Sequence, residues 1–219
     1  MSRSKPKLVQ GVGTNDADYV VQPMVNGKQV VCPFYNRWYA MIKRCYSEKE
    51  LKKHPEYRDK YVCSEWLLFS NFKAWMETQD WKGKHLDKDL LVQGNKVYSP
   101  ETCVFVPAWL NSLLTDSEAK RGDLPLGVSR KSLDSKMVNP HSVPYLSHVN
   151  GCTPRYRGAF KTSSEAHKAW QVGKAVAIEA AVTKILEEVP NSIDIVNSLM
   201  ARVALLKFEA DNNIQTQEL

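Results

Sequence analysis

The chain has 219 residues, room for one large domain or two small ones, and it is 43% hydrophobic and 25% charged, which argues against disorder over most of its length. Its formal net charge of +6 favours a polyanionic partner. No apolar run is long enough for a membrane span, and "MSRSKPKLVQ" is basic without the apolar core of a signal peptide. The expectation is a protein of the cytoplasm with no membrane partner.

The five cysteines, Cys32, Cys45, Cys63, Cys103 and Cys152, are odd in number and widely spaced. Without a Cys-x-x-Cys pair they argue against a zinc knuckle and read as reduced thiols. Positive charge gathers in the N-terminal tail, in "LKKHPEYRDKY", in "KGKHLDKD", and in "SRKSLDSK" with "PRYRGAFK". From Glu187 onward the chain leans acidic, so DNA contacts are sought before the last helix.

Residues 1–33 read as irregular, with Asn26-Gly27 able to close a small hairpin. A helix is predicted from Tyr35, because Trp38, Met41, Ile42 and Cys45 recur at three- and four-residue spacing. "YSEKELKKHPEYRDKY" reads as a polar connection in which Pro55 ends any helical turn. A second helix is predicted over 65–77. Its stripe of Trp66, Phe69, Phe72, Trp75 and Met76 is either a stacking platform for bases or core, and the helical period favours core.

The segment "KGKHLDKDLLVQGNKVYSPETCVFVPAWLN" then reads as strand, turn, strand and short helix, with Pro107 in the first helical turn. On a strand, His85, Asp87 and Asp89 would share one face. That pattern serves a metal site, but alternating charges are also common on an exposed edge strand, where they block aggregation, and the residues alone favour the strand. Asn95, after Gly94, is either a left-handed turn residue or a group with a specific role.

After the charged linker "DSEAKRGDLP", three strand candidates follow in "LPLGVSR", "VPYLSHV" and "YRGAF". A long helix begins at "TSSEAHKAW", with Thr162 and Glu165 as a capping box. Ala166, Ala169, Trp170 and Gly173 form its small-residue face, and Gly173 suggests close packing. Pro190 stops this helix. A final one carries Ile193, Val196, Met200 and Val203 on one side, and the C-terminal helix pair could support a homodimer.

"LDKDLLVQGNKVYSPETCVFVP" followed by "LN" resembles a group of bacteriophage HNH endonucleases. "LPLGVSR" with "YRGAFKTSSEAHKAW" resembles the AP2-like DNA-binding domain often fused to them. Together with "RWYAMIKRCY" and "CSEWLLFSNFKAWM", the resemblance spans most of residues 34–175. It implies an α+β fold: a ββα-metal type nuclease unit with flanking helices, then a three-stranded sheet packed on a helix, then a C-terminal helix. The implied division is an N-terminal segment 1–33, a nuclease domain 34–118, an AP2-like domain 124–188, and a C-terminal helix and tail 189–219.

By the resemblance, His85 is the general base and Asp87 a ligand of Mg²⁺, or of another divalent cation such as Mn²⁺. Asn95 ties the hairpin together, Asn111 is the distal metal ligand, and Asp89 is a second candidate ligand. The residue types suit the chemistry. Histidine as a class titrates near neutrality, and hard cations prefer oxygen ligands. Three departures stand out: Lys84 precedes the base, Thr102 or Cys103 occupies the usual second-strand asparagine, and no histidine lies on the short helix after Pro107. In the second domain, Arg130, Arg155 and Arg157 are placed to read guanine edges and Lys131 and Lys136 to touch phosphate, with Tyr145 and His148 beside them. The implied function is a metal-dependent endonuclease of homing or nicking type acting on double-stranded DNA in the host-cell cytoplasm. The alternatives are a catalytically degenerate DNA-binding protein on the same scaffold, or a structural or protein-binding phage protein.

Overall fold

The computed structural model describes residues 8–115, 122–131, 143–189 and 192–219. Lys136 and Pro190 lie outside them. The chain is mixed α+β and divides into two compact units, Met1–Val106 and Pro107–Leu219.

In the first unit, β1 (Met24–Val25) and β2 (Lys28–Gln29) pair antiparallel around Asn26 and Gly27, whose φ angles of 50° and 72° supply the left-handed pair a tight hairpin needs. The helix α1 (Pro33–Tyr46) opens on a proline, which has the right φ and lacks only an N–H that no helical carbonyl would accept. It buries Trp38, Met41, Ile42 and Cys45, as the spacing predicts. The polar connection after it is more ordered than expected. It holds α2 (Glu48–Lys53), which buries no residue and so leaves no apolar period to detect. Glutamates in its first turn and lysines in its last favour it through the helix dipole.

The helix predicted over 65–77 is broken. A 3₁₀ turn, Glu65–Leu67, precedes an extended Leu68, and α3 (Phe69–Glu77) follows. The cause is a long-range contact. Thr14 N–H donates to the Leu67 carbonyl at 2.8 Å, and Phe69 N–H donates to the Thr14 carbonyl at 3.0 Å. The aromatics are core: Trp38 Nε1 donates to the Trp66 carbonyl at 2.7 Å, and Trp38, Phe69 and Phe72 are wholly buried. Trp75, half-buried, stacks on Phe105.

The expected two-strand hairpin is also reorganised. The run 97–107 splits into β5 (Val97–Tyr98) and β6 (Val104–Pro107). β5 pairs in parallel with β3 (Tyr61–Val62), and β6 takes the place beside β4 (Lys84–Asp87).

The second unit opens with α4 (Ala108–Leu114), which Pro107 precedes as N-cap rather than starting. Trp109 Nε1 donates to Glu188 at 2.8 Å, and the Lys184 ammonium stands 4.3 Å from the Trp109 ring. The buried Lys174 ammonium caps the Leu113 carbonyl. All three partners lie on α5 (Ser163–Glu188), whose capping box between Thr162 and Glu165 forms as predicted.

The three predicted strands form one antiparallel sheet in the order β7 (Val128–Arg130), β8 (Tyr145–His148), β9 (Tyr156–Phe160). Helix α5 packs against it. Gly127, at φ 72°, lies under Trp170, and Gly173 admits the Arg157 side chain. On α6 (Ile193–Asp211) the predicted stripe is displaced. Ile195, Leu199, Val203 and Leu206 are buried, whereas Ile193 and Met200 are exposed. The C-terminal tail docks on α5. Thr216 N–H donates to His167 Nε2 at 3.0 Å, and Gln171 Nε2 donates to the Ile214 carbonyl at 2.9 Å. No described helix is long and apolar enough to cross a membrane.

Candidate functional site

Strand β4 puts Leu86 inward at 8% exposure and leaves His85 exposed and Asp87 half-buried. Asp87 ends the strand. Its Oδ1 accepts the backbone N–H groups of Asp89 at 2.8 Å and Leu90 at 2.7 Å, the turn that a short carboxylate makes with the chain two or three residues on. The in–out alternation persists past the strand, burying Lys88 at 4% and Leu90 at 2%. Asp89 shares the parity of Asp87 but lies beyond the end of the strand, and its carboxylate is held by the Lys88 ammonium. Burial raises the Asp89 carboxyl above its ordinary value, with Lys88 pulling the other way.

Asn95 is the clamp of this loop. Its Nδ2 donates to the carbonyls of Lys88 at 2.8 Å and Val97 at 2.7 Å, and its Oδ1 accepts from Val97 N–H at 3.2 Å. Its carbonyl accepts from Lys88 Nζ at 3.0 Å. The left-handed residue of the turn is Gly94, at φ 72°, not Asn95. Residues 88–97 are thus pinned at both ends by one amide, which holds Asp87 in its turn. Asn95 acts as a positioning residue, because both ends of its side chain are committed to backbone.

Beneath the loop lies a cationic layer that the motif reading missed. Lys88 Nζ and the Arg44 guanidinium stand 5.9 Å and 5.5 Å from the Tyr98 ring. The detectable signal was parity: Lys88 alternates with Leu86 and Leu90. Cys103, one of the two residues at the usual second-strand asparagine, is a buried thiol pushed up to about 12, chiefly by burial and then by the Asp87 charge. A neutral thiol does not serve a hard cation. Thr102 spends its hydroxyl on the Val97 carbonyl at 2.9 Å.

The site residues thus fall into groups. His85, Asp87 and Asn95 belong to one strand and its loop, with Asp89 turned to Lys88. Asn111 lies on α4, in the other unit. Among the described residues, no three His, Cys, Asp or Glu side chains gather as a metal-holding group.

The DNA-contact candidates do not share one sheet face. Cross-strand register places Val128 with Ser147 and Gly158, and Arg130 with Tyr145 and Phe160. Val128 and Ser147 are buried, so alternation puts Arg130 and Tyr145 on the helix-side face, at its open end. Their side chains meet, guanidinium to ring, at 5.5 Å. A bulge at Ser147–His148 places His148 opposite Tyr156, ring centroids 5.6 Å apart, on the outer face. Tyr156, 50% exposed, went unnoticed in the sequence because a bulge has no periodic signature.

Arg155 stands exposed in the β8–β9 loop, bonded to Asn150. Lys131, just after β7, donates its N–H to the Pro144 carbonyl at 2.9 Å. Arg157 turns toward α5 and Gly173.

No protein-family model, curated protein or solved structure matches this chain.

Proposed function

We propose that the protein is a double-stranded DNA endonuclease of HNH type that hydrolyses phosphodiester bonds with Mg²⁺ or Mn²⁺. The observation that carries this reading is the Asn95 clamp. An amide bonded to both ends of the loop is what the resemblance implies for the middle residue of the motif, and the loop it closes follows directly on Asp87, while strand alternation puts His85 and Asp87 on the same side of β4. The succession β4, β6, α4 follows the expected ββα order.

The residues suit a hard cation. Asp87 commits only Oδ1 to the backbone, which orients Oδ2 for a ligand. One carboxylate suffices for an ion that keeps several waters and takes its remaining oxygens from the substrate. When bound, such an ion stabilises the charge that develops on the scissile phosphate. His85, exposed beside it, takes the proton from the attacking water. Arg155, Lys131 and the outer-face pair His148–Tyr156 hold the duplex, the cations on phosphate and the rings against the groove wall.

A second reading, DNA binding without cleavage, is favoured by the pairing of Asp89 with Lys88, which removes one candidate ligand. Incubating supercoiled plasmid with the protein and Mg²⁺ or Mn²⁺, with an EDTA control, separates the two. The expected result is metal-dependent nicking or linearisation that D87A abolishes while duplex binding persists. H85A should slow cleavage about 10²- to 10⁴-fold. Binding without cutting by the unmodified protein would establish the second reading, and cutting retained by D87A would remove the Asp87 site.

A further inference from the structure

Among the described residues, strand β9 is the edge of its sheet, with β8 as its neighbour. Beside that edge, α5 presents Lys168, Ala169, Val172 and Val176 at helical spacing, a stripe distinct from the one it buries against the sheet. Strand and helix stripe line an open groove of about 660 Å³, with Phe160 and Arg157 contributed by β9. Val172 and Val176 are 53% and 56% exposed.

The groove also contains a cation short of acceptors. Arg157 is the extra residue of the β-bulge, since Gly158 faces Ser147 and Tyr156 faces His148. The bulge turns its side chain off the ladder and into the groove, where it crosses Gly173. A Cβ on Gly173 would stand 2.8 Å from Arg157 Nε. Arg157 Nη2 has a sulfur acceptor, Cys152 Sγ at 2.9 Å, while Nε is shielded from solvent with no hydrogen-bond partner. A guanidinium so placed lacks the carboxylate that would match its fork. The acid across the groove, Glu165, is engaged in the capping box of α5.

We propose that this groove binds an extended acidic peptide, which adds to β9 as a fourth strand. Main-chain hydrogen bonds to the strand edge supply affinity, as in other edge-strand recognition. Alternate apolar side chains of the peptide cover Val172 and Val176, and an Asp or Glu side chain reaches Arg157. Charge complementarity decides for this occupant, because two cations, Arg157 and Lys168, border the groove against one acid, Glu165, whose carboxylate is turned to the N-cap of α5.

A random-peptide display selection against the immobilised full chain tests this, with the V172K/V176K protein as counter-target. Both substitutions fall on exposed positions, so the variant should fold, and matching far-UV dichroism verifies that. The expected consensus alternates apolar residues with Asp or Glu. A synthetic peptide of that consensus should lose at least tenfold in affinity against V172K/V176K and against R157M, and should slow amide exchange in residues 156–160. The absence of a consensus, a basic consensus, or binding indifferent to V172K/V176K would overturn the proposal. So would sedimentation showing a dimer that V172K/V176K dissociates, since the occupant would then be a second copy.

Discussion

Asn95 shows how much one amide can do. Three side-chain hydrogen bonds to backbone, all within a loop that buries Lys88 and Leu90, make it costly to remove. Asn95→Ala leaves the Lys88 carbonyl and the Val97 N–H without this partner, while the Val97 carbonyl keeps Thr102, and should destabilise the protein by about 1–3 kcal/mol in denaturant unfolding. An unchanged midpoint would mean that water replaces the amide freely. The thiols offer a second test. Burial pushes Cys45 up to about 11 and Cys103 up to about 12. The thiolate is the reactive form, so at pH 8 iodoacetamide should modify the more accessible Cys32 and Cys152 first and spare Cys45 and Cys103 in the folded protein. Mass spectrometry of the native alkylation products reads this directly. Equal labelling of Cys103 and Cys152 would contradict the buried placement.

The elements form where local and long-range demands agree, and shift where they conflict. The α5 capping box and the hairpin at Asn26-Gly27 are local, and both formed as the sequence reads. The 65–77 helix broke because Thr14, far away in sequence, claims the backbone at Leu67 and Phe69. Helix α6 is apolar on more than one side, so its period does not single out a stripe; packing on α5 chose Ile195 and Leu199 over Ile193 and Met200. The turn into β7 shows packing and backbone demanding the same residue. A Cβ at Gly127 would lie 1.8 Å from Trp170 Cδ1, and φ is 72°. Gly127→Ala should cost roughly 3 kcal/mol, from left-handed strain and overpacking together. Gly122→Ala, at φ 62° with open space around it, should cost only the strain, about 1–2 kcal/mol. Thermal melts of the two variants should differ by the Trp170 clash, and equal melting temperatures would contradict that packing.

At the scale of the whole molecule, the proposed function predicts duplex binding that weakens steeply with salt. Each phosphate contact releases counterions, so log K should fall by about 0.9 per contact for each unit of log salt. Arg155→Ala should flatten that slope by about one contact, because Arg155 stands exposed in its loop. Arg157→Ala should leave the slope unchanged, since its guanidinium faces α5. Fluorescence anisotropy on duplex DNA across a salt series measures both. If Arg157→Ala flattens the slope as much as Arg155→Ala, then the groove side of β9 contacts the duplex.

The sequence by itself determined the elements whose signal is local: α1 with its apolar period, the three strands of the second sheet, the capped α5, the β1–β2 hairpin, and the free thiols. By the resemblance it also grouped His85, Asp87, Asp89, Asn95 and Asn111 as one site, of which His85, Asp87, Asp89 and Asn95 lie on one strand and its loop and Asn111 on α4. Pairing was the business of tertiary structure. Which strand lies beside β4, where the β9 bulge falls, and which stripe α6 buries depend on contacts between residues distant in the chain. The face an arginine occupies depends on the same contacts. One extra residue in β9 sends Arg157 under the sheet, and register sets Arg130 and Tyr145 on the face opposite His148. Side-chain period is two along a strand, so a bulge or a changed neighbour reassigns every chemical group beyond it, and composition carries no trace of that choice.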